Sequence, residues 1–143
     1  MIVEIYEGID EIKKIMRNIL ILSKGETIYS IGKEGLFANH PRLKNLFEAL
    51  KKKRAEKGIK FYAVYNIHKE MKKAKTKHTR IKYADLGNIT NTEFVFYRDQ
   101  LLIYVYSEEN PRVILIKNKD IVDNMVNYFK FLWEKAIDVG GGP

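Results

Sequence analysis

Between residues 91 and 136 the hydrophobic period of this chain changes from two to about 3.6, and few architectures accommodate that change. Two β-rich runs, 94–97 and 101–106, are joined by the polar connection Arg98-Asp99-Gln100. A third, 113–117, follows the turn signal Glu108-Glu109-Asn110-Pro111. β-branched and aromatic residues bounded by Asn, Asp and Pro form antiparallel strands because they fit a pleated, half-buried surface. After Asn118, a capping residue, Ile121, Val122, Met125, Phe129, Leu132, Trp133 and Ala136 recur at helical spacing. The spacing predicts a three-stranded antiparallel sheet covered by one amphipathic helix.

Upstream, residues 2–6 read as a short strand broken at Gly8. A helix follows, with Ile9, Ile12, Met16, Ile19 and Leu20 as its buried stripe, ending at Lys24-Gly25. Residues 27–31 form a second strand, and Gly32-Lys33-Glu34-Gly35 the loop after it. Asn39 is placed to cap a long second helix with Pro41 in its first turn. Lys51, Lys52, Lys53, Arg54 and Lys57 load its last turns with cations that suit the helix dipole, and Gly58 stops it. Residues 59–65 are an apolar strand. Residues 66–77 are a basic short helix or loop, and 80–83 another strand. The fold class is α/β, a mixed-sheet sandwich of β-α-β-α-β followed by antiparallel strands and a C-terminal helix, with a parallel first half.

With 143 residues and no cysteine, the chain fits one domain, expected over 1–137, that folds without disulfides and has no thiolate chemistry. A disordered tail is expected at 138–143. The first ten residues lack the basic and apolar regions of a signal peptide, and no apolar run approaches the ~20 residues that cross a bilayer. A cytoplasmic protein without membrane contact is expected. The +8 charge is concentrated: residues 42–82 hold fifteen Lys and Arg against three Asp and Glu, and the remainder is net −4. A basic middle points to an anionic partner or to a solvated lysine-rich face.

Several phrases, in order and spacing, resemble the C-terminal, phospholipase-D-like domain of the TrmB family of archaeal transcriptional regulators. They are Tyr6-Glu7-Gly8-Ile9 entering the first helix, Lys57-Gly58-Ile59 entering the third strand, the hairpin at Arg98-Asp99, and the terminal run from Phe129 to Ala136. The resemblance covers roughly residues 3–136. It implies an effector-sensing, homodimerising domain whose winged-helix DNA-binding head lies outside this chain. The longer sugar-sensing members extend beyond this domain, so the resemblance does not carry over a sugar; a small-molecule effector, a sugar or an anionic metabolite, is expected. DNA would be met only through that head or through the basic patch.

Phospholipase-D-type enzymes use H-x-K-x-x-x-x-D, the histidine attacking phosphorus and the lysine holding phosphate oxygens. Aligning Asp99 with the motif aspartate puts Thr92 and Phe94 at the other two positions, and a shift by one offers Asn91 and Glu93. Neither register supplies a nucleophile or a cation, so the chain is expected to be no enzyme, without metal or cofactor. His78-Thr79-Arg80…Asp85 mimics the motif but lacks its strand context, leaving a residual phosphodiesterase centred on His78 as a lesser reading. His40, His68 and His78 show no metal-ligand spacing.

A ligand cleft at the carboxyl ends of the parallel strands would draw on Glu7, Lys33, Asn66 and His68, with Arg98 from the hairpin. A nucleic-acid-binding module is the alternative, through Lys51, Lys52, Lys53, Arg54, Lys72, Lys73, Lys75, Lys77 and Arg80. The last helix and the exposed tyrosines are the expected pairing face.

Overall fold

The computed structural model of the protein describes residues 1–139. Seven strands form one mixed sheet in the order β1-β7-β6-β5-β2-β3-β4. They are β1 (Ile2–Glu7), β2 (Thr27–Gly32), β3 (Lys60–Asn66), β4 (Thr79–Ala84), β5 (Thr92–Tyr97), β6 (Gln100–Val105) and β7 (Arg112–Lys117). Only β2, β3 and β4 run parallel. The first strand is not part of that parallel half: β1 pairs antiparallel with β7 at the far edge, Ile2 opposite Lys117 and Glu7 opposite Arg112.

Strand alternation divides the core in two. Ile28, Val95, Tyr97, Leu102, Tyr104, Val113 and Leu115 point to one face, where α1 (Ile9–Met16) buries Ile12, Ile15 and Met16, and α2 (Lys44–Glu56) buries Leu50, with Leu43 just ahead of it. Phe37 stacks on Tyr104 there, with ring centroids 4.7 Å apart. The other face carries Val64, Phe96 and Leu101 under α3 (Lys119–Lys135), which buries Val122 and Phe129. Tyr62 stacks on Trp133 at 5.6 Å, and Trp133 on Phe129 at 5.4 Å. Each such pair contributes about 0.5–1.5 kcal/mol beyond the area it buries. Asn118 caps α3 as its sequence implies, its side chain accepting from the Ile121 N–H at 3.0 Å.

The first helix is shorter than its apolar stripe, giving way to a 3-10 turn over Arg17–Ile21. Asn39 and Pro41 do not open α2, which begins at Lys44 after a run of turns. The cap is instead the His40 carbonyl, which accepts from both the Leu43 and Lys44 N–H groups at 3.0 Å. His40 is fully buried and fixed at both ring nitrogens: Nδ1 accepts from the Arg42 N–H at 3.2 Å, and Nε2 donates to the Glu108 carbonyl at 3.0 Å.

No helix connects β3 to β4. Residues 67–78 cross the α2 face as an irregular segment, with Met71 against Ala63, Tyr65 and Tyr83. The expected tail is only partly testable, since residues 140–143 lie outside the described residues. Within them Ile137 bridges to Tyr83, Asp138 meets Arg80 at 3.6 Å, and Val139 packs on the Tyr65–Tyr83 cluster.

Candidate functional site

The sheet changes from parallel to antiparallel between β2 and β5, and a charged side chain is buried at that seam. Glu93, on β5 opposite Gly32 of β2, has 6% of its surface exposed. Alternation with Val95 and Tyr97 places it on the α1/α2 face, while Phe94 faces α3. Of the two readings of the hairpin motif, the fold therefore turns Glu93 into the seam. A carboxyl stands there, not a cation.

Ser30 Oγ donates to Glu93 Oε2 at 2.6 Å, and the Tyr65 hydroxyl approaches the same oxygen at 3.5 Å. Burial pushes the Glu93 carboxyl up to about 7; the bonds from Ser30 and Tyr65 oppose the rise, and the nearby Glu34 carboxylate adds to it. Burial also drives the Tyr65 hydroxyl well above the ordinary tyrosine range, with Glu93 next in effect. Gly32 is needed for this closeness. Its φ is +151°, and a Cβ there would lie 2.8 Å from the Glu93 Cα.

Above Glu93, toward solvent, sits a second carboxyl. Glu34 Oε1 accepts from the Tyr83 hydroxyl at 2.8 Å and from His68 Nε2 at 2.7 Å. His68 Nδ1 accepts from the Glu70 N–H at 3.1 Å, which assigns the ring proton to Nε2. The Tyr83 hydroxyl also accepts from the Lys72 N–H at 3.3 Å. Two carboxyls, three hydroxyls and an imidazole thus meet at the carboxyl ends of β2, β3 and β4.

The sequence-derived cleft residues separate on this geometry. His68 belongs to the site, but with both nitrogens bonded it orients Glu34 instead of standing free. Lys33 is exposed at the end of β2, beside the site. Asn66 is nearby but committed: its side chain accepts from the Leu86 N–H at 2.8 Å and donates to the Gly87 carbonyl at 3.2 Å. Glu7 is wrong. It sits on β1, four strands from β2, and meets Arg112 at 3.8 Å. Arg98 is also wrong, because β5 runs antiparallel to β2 and the hairpin emerges at the opposite end. There its guanidinium donates twice to Glu26, at 2.9 and 2.8 Å, and holds that carboxyl down at about 2.

Two basic candidates are corrected as well. Arg54 is 3% exposed, donates to the Ile59 carbonyl at 2.9 Å and to Thr79 Oγ1 at 2.7 Å, and stacks on Phe61. Burial lowers its pKa to about 10. It serves the core. Arg80 stacks over Trp133 and Tyr62 on the α3 face, away from the lysines. Lys51, Lys52, Lys53, Lys72, Lys73, Lys75 and Lys77 remain exposed. His78 and Asp85 stand at opposite ends of β4, so the motif they mimic is not assembled.

No family model and no curated protein sequence matches this chain. Solved structures do. TrmBL2, an archaeal chromatin protein whose structure shows a novel mode of DNA binding, aligns with a TM-score of 0.59 at 13% identity over 96% of this chain. This chain spans 54% of TrmBL2. Nuc from Salmonella typhimurium, a phospholipase D family member, aligns at 0.62 with 10% identity, over 96% of this chain and 97% of Nuc. NucT from Helicobacter pylori aligns at 0.66 with 15% identity, over 96% and 98%. The fold is TrmB-like and phospholipase-D-like.

These neighbours overturn the expectation that the chain is no enzyme. Nuc and NucT, phospholipase D-family enzymes, share the fold over nearly their whole length, so this fold is one that enzymes use and the exclusion does not stand. No helix among the described residues is long and apolar enough to cross a membrane.

Proposed function

We propose that this chain is the ligand-responsive, pairing domain of a TrmB-like regulator, with its effector taken at the Glu34–Glu93 seam. The observation that carries this reading is the buried Glu93, held by Ser30 beneath the Glu34–His68–Tyr83 cluster. Ligands of open α/β sheets bind outside the carboxyl ends of the strands where the topology switches. Here β2 has a parallel neighbour on one side and an antiparallel one on the other. A carboxyl balanced between charge states near neutrality responds to a neighbour that donates hydrogen bonds or brings positive charge. The effector class that fits is a sugar or other hydroxyl-rich molecule, or an amine. An anionic metabolite fits worse, because Glu34 and Glu93 repel it.

In a paired assembly, an effector that binds one arrangement better shifts the population toward it. The outward side chains of α3, Tyr128 at 62% and Phe131 at 59% exposed, are the pairing face this reading favours. Titration calorimetry against sugars, amines and sugar phosphates tests the site, and solution mass tests the pairing. Binding of a sugar or amine weakened at least about tenfold, or 1.4 kcal/mol, by both Glu34→Gln and Glu93→Gln is expected. Affinity unchanged in both variants removes the site.

A further inference from the structure

The crossover between β3 and β4 turns its lysines outward despite having no helix. Met71, Ala74 and Thr76 are half-buried, while Lys72, Lys73, Lys75 and Lys77 are exposed. The crossover therefore presents four lysines to solvent within six residues. The segment lies beside α2, and between them runs an open trough lined by Lys51, Lys52, Thr76, Lys77 and His78.

Glu48 and Glu56 also reach the trough, and Glu48 meets Lys51 at 3.7 Å. Among the described residues, no lysine of the crossover makes an ion pair with an acid. A solvated lysine face of the heat-adapted kind alternates its charges into ion-pair networks. This one leaves like charges crowded, which costs free energy that a polyanion relieves.

The backbone beneath the lysines is held in place. Tyr83 accepts from the Lys72 N–H, His68 accepts from the Glu70 N–H, and Met71 is packed on the sheet. The backbone of residues 70–72 therefore has little ordering entropy left to lose on binding.

We propose that the trough between α2 and residues 76–78, together with the exposed crossover lysines that lead into it, is a docking surface for the phosphate backbone of duplex DNA, with Lys51, Lys52 and Lys77 in the trough and Lys72, Lys73 and Lys75 beside it. The surface carries no arginine fork and no exposed aromatic to read bases, so it binds without sequence preference. Six neutralised phosphates give a log-affinity against log-salt slope of about −5, and a loss of roughly a thousandfold from about 50 to 200 mM salt.

Fluorescence anisotropy of the whole chain with two unrelated duplexes of about 20 base pairs tests this. The variant K72Q/K73Q/K75Q/K77Q is expected to lose at least about a hundredfold in affinity at ~50 mM salt and to flatten the slope by about 3.6. K51Q/K52Q, on a different element, is expected to flatten it by about 1.8. A control with the same charge change elsewhere, K14Q/K119Q/K130Q/K135Q, is expected to stay within about threefold, since exposed charges beyond a Debye length are screened. The proposal is overturned by no binding at ~50 mM salt, by equal losses in the crossover and control variants, or by a tenfold preference between the two sequences.

Discussion

Replacing Glu93 by Gln should flatten the pH dependence of stability, because the native state holds a proton there that the unfolded chain releases. The carboxyl titrates at 4.5 in its ordinary setting and about 7 when buried against Ser30 and Tyr65. A folded pKa raised above the unfolded one gives stability that is full below pH 4.5 and is lost as pH rises through about 7. Carrying one proton across that window is worth about 3 kcal/mol. Glutamine keeps an acceptor for the Ser30 hydroxyl and removes the titration. Its extra N–H donors, if left unbonded, cost about 1–3 kcal/mol at every pH, so absolute stability is the weaker readout.

The stronger readout is the difference between pH 5 and pH 8, in which the other titrating groups cancel between the two proteins. Urea unfolding followed through the single tryptophan, Trp133, which stacks on Tyr62 and Phe129, gives this number directly. Wild type should lose roughly 2–3 kcal/mol more than Glu93→Gln from pH 5 to pH 8, since a part of the window lies below pH 5. Curves that stay parallel to within about 0.5 kcal/mol would refute the account of Glu93 as a buried carboxyl that charges only at neutrality.

Other consequences are smaller and independent. Gly32→Ala should destabilise by about 2–3 kcal/mol in the same assay, because its Cβ meets the β5 backbone at 2.8 Å with φ unsuited to alanine; a neutral result would mean β2 and β5 are less tightly apposed. Tyr97→Phe should stabilise by about 1 kcal/mol, since the Tyr97 hydroxyl is buried without a partner among the described residues. A loss of that size would show that a bond is being made. Arg54→Met should cost about 1–3 kcal/mol by stranding the Ile59 carbonyl and Thr79 hydroxyl, which thermal unfolding checks. Tyr83→Phe should speed amide exchange at Lys72 by about tenfold, an opening made about 1.4 kcal/mol easier, with no change in Leu102 of the core.

The elements that sequence reveals well are those whose period and local chemistry agree. Asn118 and the heptad-like row from Ile121 to Ala136 yield α3 with its cap, because a capping bond and an apolar stripe are both local. Gly58 ends α2 as expected, with φ at 73°. Local rules fail at Asn39 and Pro41, where a buried histidine 68 residues from its carbonyl partner displaces the conventional cap. They fail again at Glu7 and Arg98, because β1 sits beside β7 and the hairpin points away from the parallel strand ends. Pairing of distant strands leaves no mark in a short window of sequence. Glu93 could have been found: in Thr92-Glu93-Phe94-Val95-Phe96-Tyr97 it shares the face of Val95 and Tyr97, and a charge on a core face asks for a partner. Ser30, Glu34 and Tyr83 carry no such signal, since only the parallel register brings their strands together.

The pairing of β1 with β7 has a cost during synthesis. Residues 2–7 are made about a hundred residues ahead of residues 112–117, their only sheet neighbour among the described residues. Until then the nascent strand keeps its hydrogen-bonding edge open, and Val3 and Ile5 stay about 60% exposed even when it docks. Closing so long a loop is slow, and an unpaired apolar strand invites pairing with another chain. Of the seven strands, β1 waits through the longest stretch of chain for its partner, and its open edge is a liability for that interval.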